Sequence, residues 1–328
     1  MDWNAECVLV TGAAGFIGAH TARALITRGA RVVGVDNFDP FYERARKERN
    51  LDWARGGAEP DAFAFREMDI VDQGALTALM RERGVTGVIH LAAKAGVRPS
   101  IEDPLGYARA NVVGTQAVLG AASGAGCVRA VCASSSSVYG NNDKTPFAED
   151  DPVERPISPY AATKRACELI AHTHHHLTRL PVAMLRFFTV FGPGQRPDLA
   201  IEHFLGRVGA GGTITMFGDG TTSRDYTYID DIVAGVLAGY GRIDDHGYRI
   251  WNLGGDRPTT LNDLIATIGA VTGREPIVER AAPQPGDVDR TWADLTRSRA
   301  ELGYAPATSL RAGIERQWAA RLEREGAR

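Results

Sequence analysis

Tyr160 and Lys164 lie four residues apart in Pro159-Tyr160-Ala161-Ala162-Thr163-Lys164-Arg165-Ala166. This stretch opens a helix and puts both side chains on one face. A phenol beside an ammonium can give up and take back a proton near neutral pH, because the positive charge favours the phenolate. The same ammonium can orient the ribose of a bound cofactor. Tyr-x-x-x-Lys also occurs on ordinary helices, so the pair carries weight only in combination. Upstream, Ala133-Ser134-Ser135-Ser136-Ser137-Val138-Tyr139-Gly140 follows an apolar strand-like run. That places hydroxyls at the carboxyl edge of a sheet, where open α/β folds bind ligands, although serines at a strand end are equally ordinary turn chemistry.

Such groups need a scaffold, and Val8-Leu9-Val10-Thr11-Gly12-Ala13-Ala14-Gly15-Phe16-Ile17-Gly18 describes a buried strand, a tight turn and a helix. Gly12 permits the turn and Gly15 lets the backbone approach a pyrophosphate. Phe16 and Ile17 open the helix, and Gly18 lets helix and strand pack closely. Asp36 ends the next strand, followed by Asn37. A carboxylate there accepts both ribose hydroxyls of an adenosine and repels a 2′-phosphate, which favours NAD over NADP. Asp69 and Ile70 follow a third strand-like segment. Asp69 reads either as an adenine neighbour or as a loop carboxylate.

Short apolar runs at Cys7–Thr11, Arg31–Asp36, Gly87–Ala92, Val128–Ser134 and Val182–Phe188 alternate with helical patterns such as Ile17–Arg28. They predict an α/β fold, a doubly wound parallel (Rossmann) sheet covered on both faces. After Phe191 the alternation loosens into Gly/Pro loops. Residues 1–190 are therefore expected to form the dinucleotide-binding domain, with a return segment near 225–252, and 191–328 mainly a smaller C-terminal α/β substrate-binding lobe. Trp251-Asn252-Leu253-Gly254 reads as a strand and turn returning the chain to that second lobe. The basic stretch with Arg44, Arg46, Lys47 and Arg49 reads as a solvated helix face or part of a ligand rim. The tail after Arg311 reads as an exposed helix.

The chain has 328 residues, 44% hydrophobic and 23% charged, with a net charge of −3. That is enough for a large core, and it gives no electrostatic case for nucleic acid or an anionic membrane. No apolar run approaches the ~18 residues of a membrane span, and the N-terminus lacks signal-peptide character. Cys7, Cys127, Cys132 and Cys167 are scattered, as expected for reduced, buried thiols in a cytoplasmic protein. His172, His174, His175 and His176 lie at several helical angles without a completing carboxylate or cysteine, so no metal is expected. Phe187 and Phe188 read as core.

Glycine turn, serine segment and Tyr160/Lys164 together resemble the extended short-chain dehydrogenase/reductase family over nearly the whole chain. In that family the strand-end hydroxyl, Tyr and Lys act together on the sugar hydroxyl being oxidised. Ser135 aligns with the usual position, and Ser137 can also face the sugar. Within the family, four strings look like UDP-glucuronate 4-epimerases: His90–Ser100, Ser158–Lys164, Leu185–Asp198 and Arg224–Asp231. The resemblance implies that Leu91, Ala92, Ala93 and Lys94 line the nicotinamide side, that Thr189 and Arg196 approach the sugar with Arg196 on its carboxylate, and that Arg224 meets the diphosphate. Arg98, Ser136, Gln284 and Asp287 are further substrate-side candidates. It also implies a UDP-sugar substrate, bound NAD and a homodimer. Related decarboxylases carry Glu where this chain has Ser137, which favours an epimerase that keeps its carboxylate. A neutral-sugar 4-epimerase, a UDP-glucuronate decarboxylase and a non-catalytic NAD-sensing protein stay open. The last is expected to lose the Tyr/Lys pair.

Overall fold

The computed structural model describes residues 1–282 and 288–326. Its strands are β1 (Cys7–Thr11), β2 (Arg31–Asp36), β3 (Phe63–Glu67), β4 (Gly87–His90), β5 (Arg129–Ser135), β6 (Val182–Phe187), β7 (Thr189–Phe191), β8 (Thr213–Phe217), β9 (Ser223–Tyr228), β10 (Tyr248–Leu253), β11 (Pro258–Thr260) and β12 (Ile277–Ala281). The helices are α1 (Phe16–Thr27), α2 (Arg44–Arg55), α3 (Gln73–Arg83), α4 (Val97–Glu102), α5 (Pro104–Tyr107), α6 (Gly114–Ala125), α7 (Pro159–Thr178), α8 (Ala200–Gly209), α9 (Ile229–Arg242), α10 (Leu261–Thr272), α11 (Thr296–Leu302) and α12 (Leu310–Gly326).

Seven strands form one parallel sheet in the order β10-β6-β5-β4-β1-β2-β3. Every residue of β1 is buried. Val8 and Val10 enter the core shared with α1 and α9, while Cys7 and Leu9 enter the core under α3, α6 and α7. This period-two division is what a strand covered on both faces requires, and it is the doubly wound architecture expected from the sequence. Strand order reverses between β1 and β4, so their carboxyl ends open the crevice where such folds bind ligands. Smaller sheets, β11-β9-β7 and β12-β8, stand beside it.

Three expectations need correction. The run Gly87–Ala92 stops being strand at His90, because the amides of Leu91 and Ala92 turn to the Thr11 hydroxyl, 3.2 Å from each. Trp251 lies on β10, which joins the edge of the large sheet beside β6, and the turn after it leads to β11 in the three-stranded sheet. The basic stretch is not simply solvated: Arg44 and Arg49 face out, but Lys47 is buried and donates to the Asp39 carbonyl at 2.6 Å. The tail helix α12 is docked through Ile314 and Gln317, both fully buried. Among the described residues no helix is long and apolar enough to cross a membrane. All four cysteines are free and buried, and Phe187 and Phe188 belong to the core.

Candidate active site

At the switch point, Gly12 adopts φ 70°, and its amide and that of Ala13 donate to the Val35 carbonyl at 2.8 and 3.2 Å. A Cβ on Gly12 would lie 2.8 Å from the Ala92 amide nitrogen, and one on Gly18 would lie 2.0 Å from the Gly12 carbonyl oxygen. Both glycines are thus demanded by close backbone approach. Gly15 caps α1 with no side chain of its own. The amides of Phe16 and Ile17 therefore open on the crevice, and the helix dipole favours an anion there. Asp36 is buried at the end of β2, its carboxylate accepting from Ala14 N at 3.2 Å and Phe38 N at 2.9 Å. Burial pushes this carboxyl up, against those hydrogen bonds and the Lys47 charge. Asn37 is exposed and accepts from Asp39 N. Ile70 is buried, whereas Asp69 accepts from Val71 N and pairs with Arg109 at 3.0 Å.

Helix α7 starts at Pro159 behind the Ser158 hydroxyl, which accepts from Ala161 N at 3.1 Å. Lys164 is buried and donates to the Ala133 carbonyl at 2.8 Å, which pins the helix to the end of β5. Tyr160 is partly buried and meets Tyr107 edge to face, with ring centroids 6.2 Å apart. The β5 pleat divides the serines. Ser134 turns inward to Glu168 at 2.7 Å, where Glu168 also pairs with buried Arg186. Ser135 accepts from Ser137 N at 3.1 Å, and Ser136 and Ser137 are partly exposed.

Two residues that sequence reading passed over hold this centre together. Asn111 lies in a π-helical stretch, Ala108–Val113, an irregularity that recurs at functional sites. Its side chain bonds both the N–H and C=O of Lys94, at 2.9 and 3.0 Å, and the Thr163 hydroxyl at 3.0 Å. It therefore joins the Leu91–Gly96 loop to α7. A buried polar residue just before Val112-Val113 was the only signal for it. His90, fully buried, bridges Thr11 at 2.7 Å and Thr115 at 3.2 Å. Burial, then the Lys164 charge, push it down to about 3.

Across the crevice, Thr189 begins β7 opposite Tyr226. Arg196 donates from Nε and Nη2 to Asp198 at 3.1 and 2.9 Å, and from Nη1 to the Ala95 carbonyl at 3.1 Å, with its guanidinium 5.0 Å from the Phe41 ring. The phenol of Tyr107, pushed up to about 12 by burial, feels both Arg196 and Tyr160. That of Tyr42, likewise pushed up to about 12, feels both Asp36 and Arg196. Arg196 thus meets the loop after β4 at Ala95, which Asn111 joins to α7. Lys94 pairs with Asp103 at 2.8 Å. Arg98 is exposed, stacked 4.8 Å from Phe217, and Arg224 donates to the Ser223 and Asp289 carbonyls. Asp289 lines a cavity of about 620 Å³ with Asn142, Thr222 and Arg290. Gln284 and Asp287 lie outside the described residues. The α7 histidines have structural partners: His174 bonds Ser123 at 2.7 Å, His175 bonds the Leu180 carbonyl at 2.8 Å, and His172 packs on Tyr248.

A dinucleotide-binding α/β fold with a Tyr/Lys pair at its switch point defines a class of enzymes that handle hydride and proton together. The chain belongs to the NAD dependent epimerase/dehydratase family, whose model matches residues 8–254. It is 39% identical to a UDP-glucuronate 4-epimerase of Thermodesulfobacterium geofontis over 94% of each chain. It is also 39% identical to UDP-glucuronate 4-epimerase 4 of Arabidopsis thaliana, over 95% of this chain and 74% of that one. Its fold matches the crystal structure of UDP-glucuronic acid 4-epimerase from Bacillus cereus in complex with UDP-glucuronic acid and NAD. There the TM-score is 0.90 and the identity 33%, covering 97% of this chain and 99% of that one.

Proposed function

We propose that this protein interconverts UDP-glucuronate and UDP-galacturonate by transient oxidation at C4. The observation that carries the reading is the position of Arg196, which donates to the Ala95 carbonyl on the loop that Asn111 joins to the Tyr160 helix. A fork-shaped cation beside the proton-transfer group suits a sugar with a carboxylate on C5. The glycine turn, the uncapped α1 terminus and Asp36 fit an adenine dinucleotide. NAD bound there supplies a reversible hydride acceptor at C4, and because the net redox change is zero it stays in place between turnovers.

In this reading Tyr160 takes the C4 hydroxyl proton as the ketone forms and returns it when the turned sugar is reduced on its other face. Lys164, held by Ala133, keeps positive charge beneath the phenolate. Ser135 and Ser137 hold the C4 oxygen. The ketone is β to the carboxylate, an arrangement prone to lose carbon dioxide. Ser136, Ser137, Thr189 and Arg196 discourage that loss by holding the carboxylate away from the geometry that breaks the C–C bond. Arg224 and Arg98 serve the diphosphate end, and Leu91, Ala92, Ala93 and Lys94 line the nicotinamide side.

The reading assigns residues 1–190, with β10 returned to them, to the cofactor, and 191–328 mainly to the sugar nucleotide. A homodimer through a helical interface containing α7 is supported by Leu169 and Leu177, apolar side chains exposed on α7, and a cytoplasmic site by the four free thiols. Incubation of the purified protein with UDP-glucuronate, followed by proton NMR, should show UDP-galacturonate accumulating without added NAD. Release of a UDP-pentose would make it a decarboxylase, and turnover of UDP-glucose alone would make it a neutral-sugar epimerase.

A further inference from the structure

The loop that carries Arg196 is built on the helix of the dinucleotide turn. Gly192 and Gly194 take φ 147° and 84°, a region glycine enters at no steric cost, so these two residues do little by themselves to hold the loop in one shape. An external contact must then choose the shape. His20 lies on α1, one turn beyond Phe16, and its Nε2 is 2.8 Å from the Pro193 carbonyl oxygen. A carbonyl can only accept, so the ring carries its proton on Nε2. The imidazole is held on both sides, edge to face with Phe16 at 5.6 Å and against Trp53 at 4.4 Å. Burial, with the Arg23 charge adding to it, pushes the imidazole down to about 4, so it stays a neutral donor at working pH. Two residues along, Arg46 donates to the Gln195 carbonyl at 2.7 Å.

We propose that His20 is a positioning residue for substrate recognition: it fixes the Gly192–Arg196 loop to the first helix of the cofactor turn, and so sets where Arg196 meets the sugar carboxylate. The proposal rests on the uronate reading above. It makes cofactor turn and carboxylate partner one rigid unit, since α1 is capped by Gly15 of the turn and its His20 side chain reaches Pro193.

The test uses two substitutions in the full-length holoenzyme. His20→Phe keeps the ring between Phe16 and Trp53 and removes the donor, while His20→Gln brings an amide N–H to a similar reach. His20→Phe should raise KM for UDP-glucuronate about tenfold with kcat within about twofold, the worth of one hydrogen bond spent on placement. His20→Gln should recover most of it. In an Arg196→Ala background His20→Phe should add nothing, because residues acting through one group are not additive. An unchanged KM in His20→Phe, a fall in kcat alone, or the same rise without Arg196 would overturn the proposal. A readout independent of substrate is amide exchange across residues 192–199. It should speed up about tenfold in His20→Phe and return in His20→Gln, so that loop placement is judged even if UDP-glucuronate proves to be the wrong sugar. Unaltered exchange would equally reject the proposal.

Discussion

Between Gly12 and Gly18 main-chain contacts set the shape, with two amides on the Val35 carbonyl and a helix packed so close that Gly18 has no room for a methyl group, while the Asp36 and Asn50 side chains hold Ala14. The opposite wall, Gly192 to Asp198, is held largely by side chains. His20 and Arg46 take its carbonyls, Gln195 donates to Val190 O at 2.9 Å and accepts from Gln317 at 3.0 Å, and Arg196 pairs with Asp198. Where backbones approach as closely as at Gly12 and Gly18 a Cβ has no room, whereas side-chain contacts can be exchanged one at a time. One wall is therefore suited to an invariant cofactor and the other to a substrate that can be retuned.

The largest effect should come where the two walls meet. Tyr160→Phe is expected to lose about a thousandfold in turnover while bound NAD, read from the absorbance of the purified protein, stays at the wild-type level. Loss of NAD would show that the phenol belongs to the cofactor wall instead. Next, Gly18→Ala should cost about 3 kcal/mol through forced overpacking and deplete NAD, measured by denaturant unfolding and cofactor content. A well-folded, NAD-replete variant would remove the backbone argument.

Acid should act on both walls, through His20 at Pro193 and through His90 beside the cofactor turn. His90 titrates near 3 in the fold against an ordinary 6.5, so the unfolded chain binds the proton more tightly. The stability it contributes is complete above pH 6.5 and falls as pH drops from there toward 3, by about 2 kcal/mol at pH 5. His90→Gln should flatten that part of the unfolding profile, and an unaltered slope would assign the sensitivity elsewhere. The mildest change belongs to the sugar wall. Arg196→Ala should weaken UDP-glucuronate about tenfold and shift unfolding by less than about 1 kcal/mol. Unchanged affinity and product ratio would take this arginine out of substrate recognition.

How far the sequence could be read follows the same division. The limits of β1 and β2 match those expected, because both are apolar runs closed by a glycine turn or an aspartate. His90 was placed within a strand but not as a bridge, since Thr11 and Thr115 lie far away in the chain. The basic stretch before Asn50 misled in part because charge alone does not reveal an inward carboxylate. Arg46 reaches Glu202 at 3.2 Å, and Arg321 reaches the same buried group at 3.0 Å. Asn111 escaped notice because its role depends on the π-helical register, which has no periodicity to read.

The return of β10 bears on how the chain is made. Strand β6 forms its outer pairing only with β10, and everything between Phe187 and Tyr248 must be synthesised before that partner exists. Until then a nascent chain carries β6 as an open edge, with Leu185 waiting for cover from α9. Open apolar edges are where chains join to one another by mistake. Ribosome pausing in the stretch before Tyr248 would prolong that exposure, so yield on expression should depend on how quickly this segment is translated.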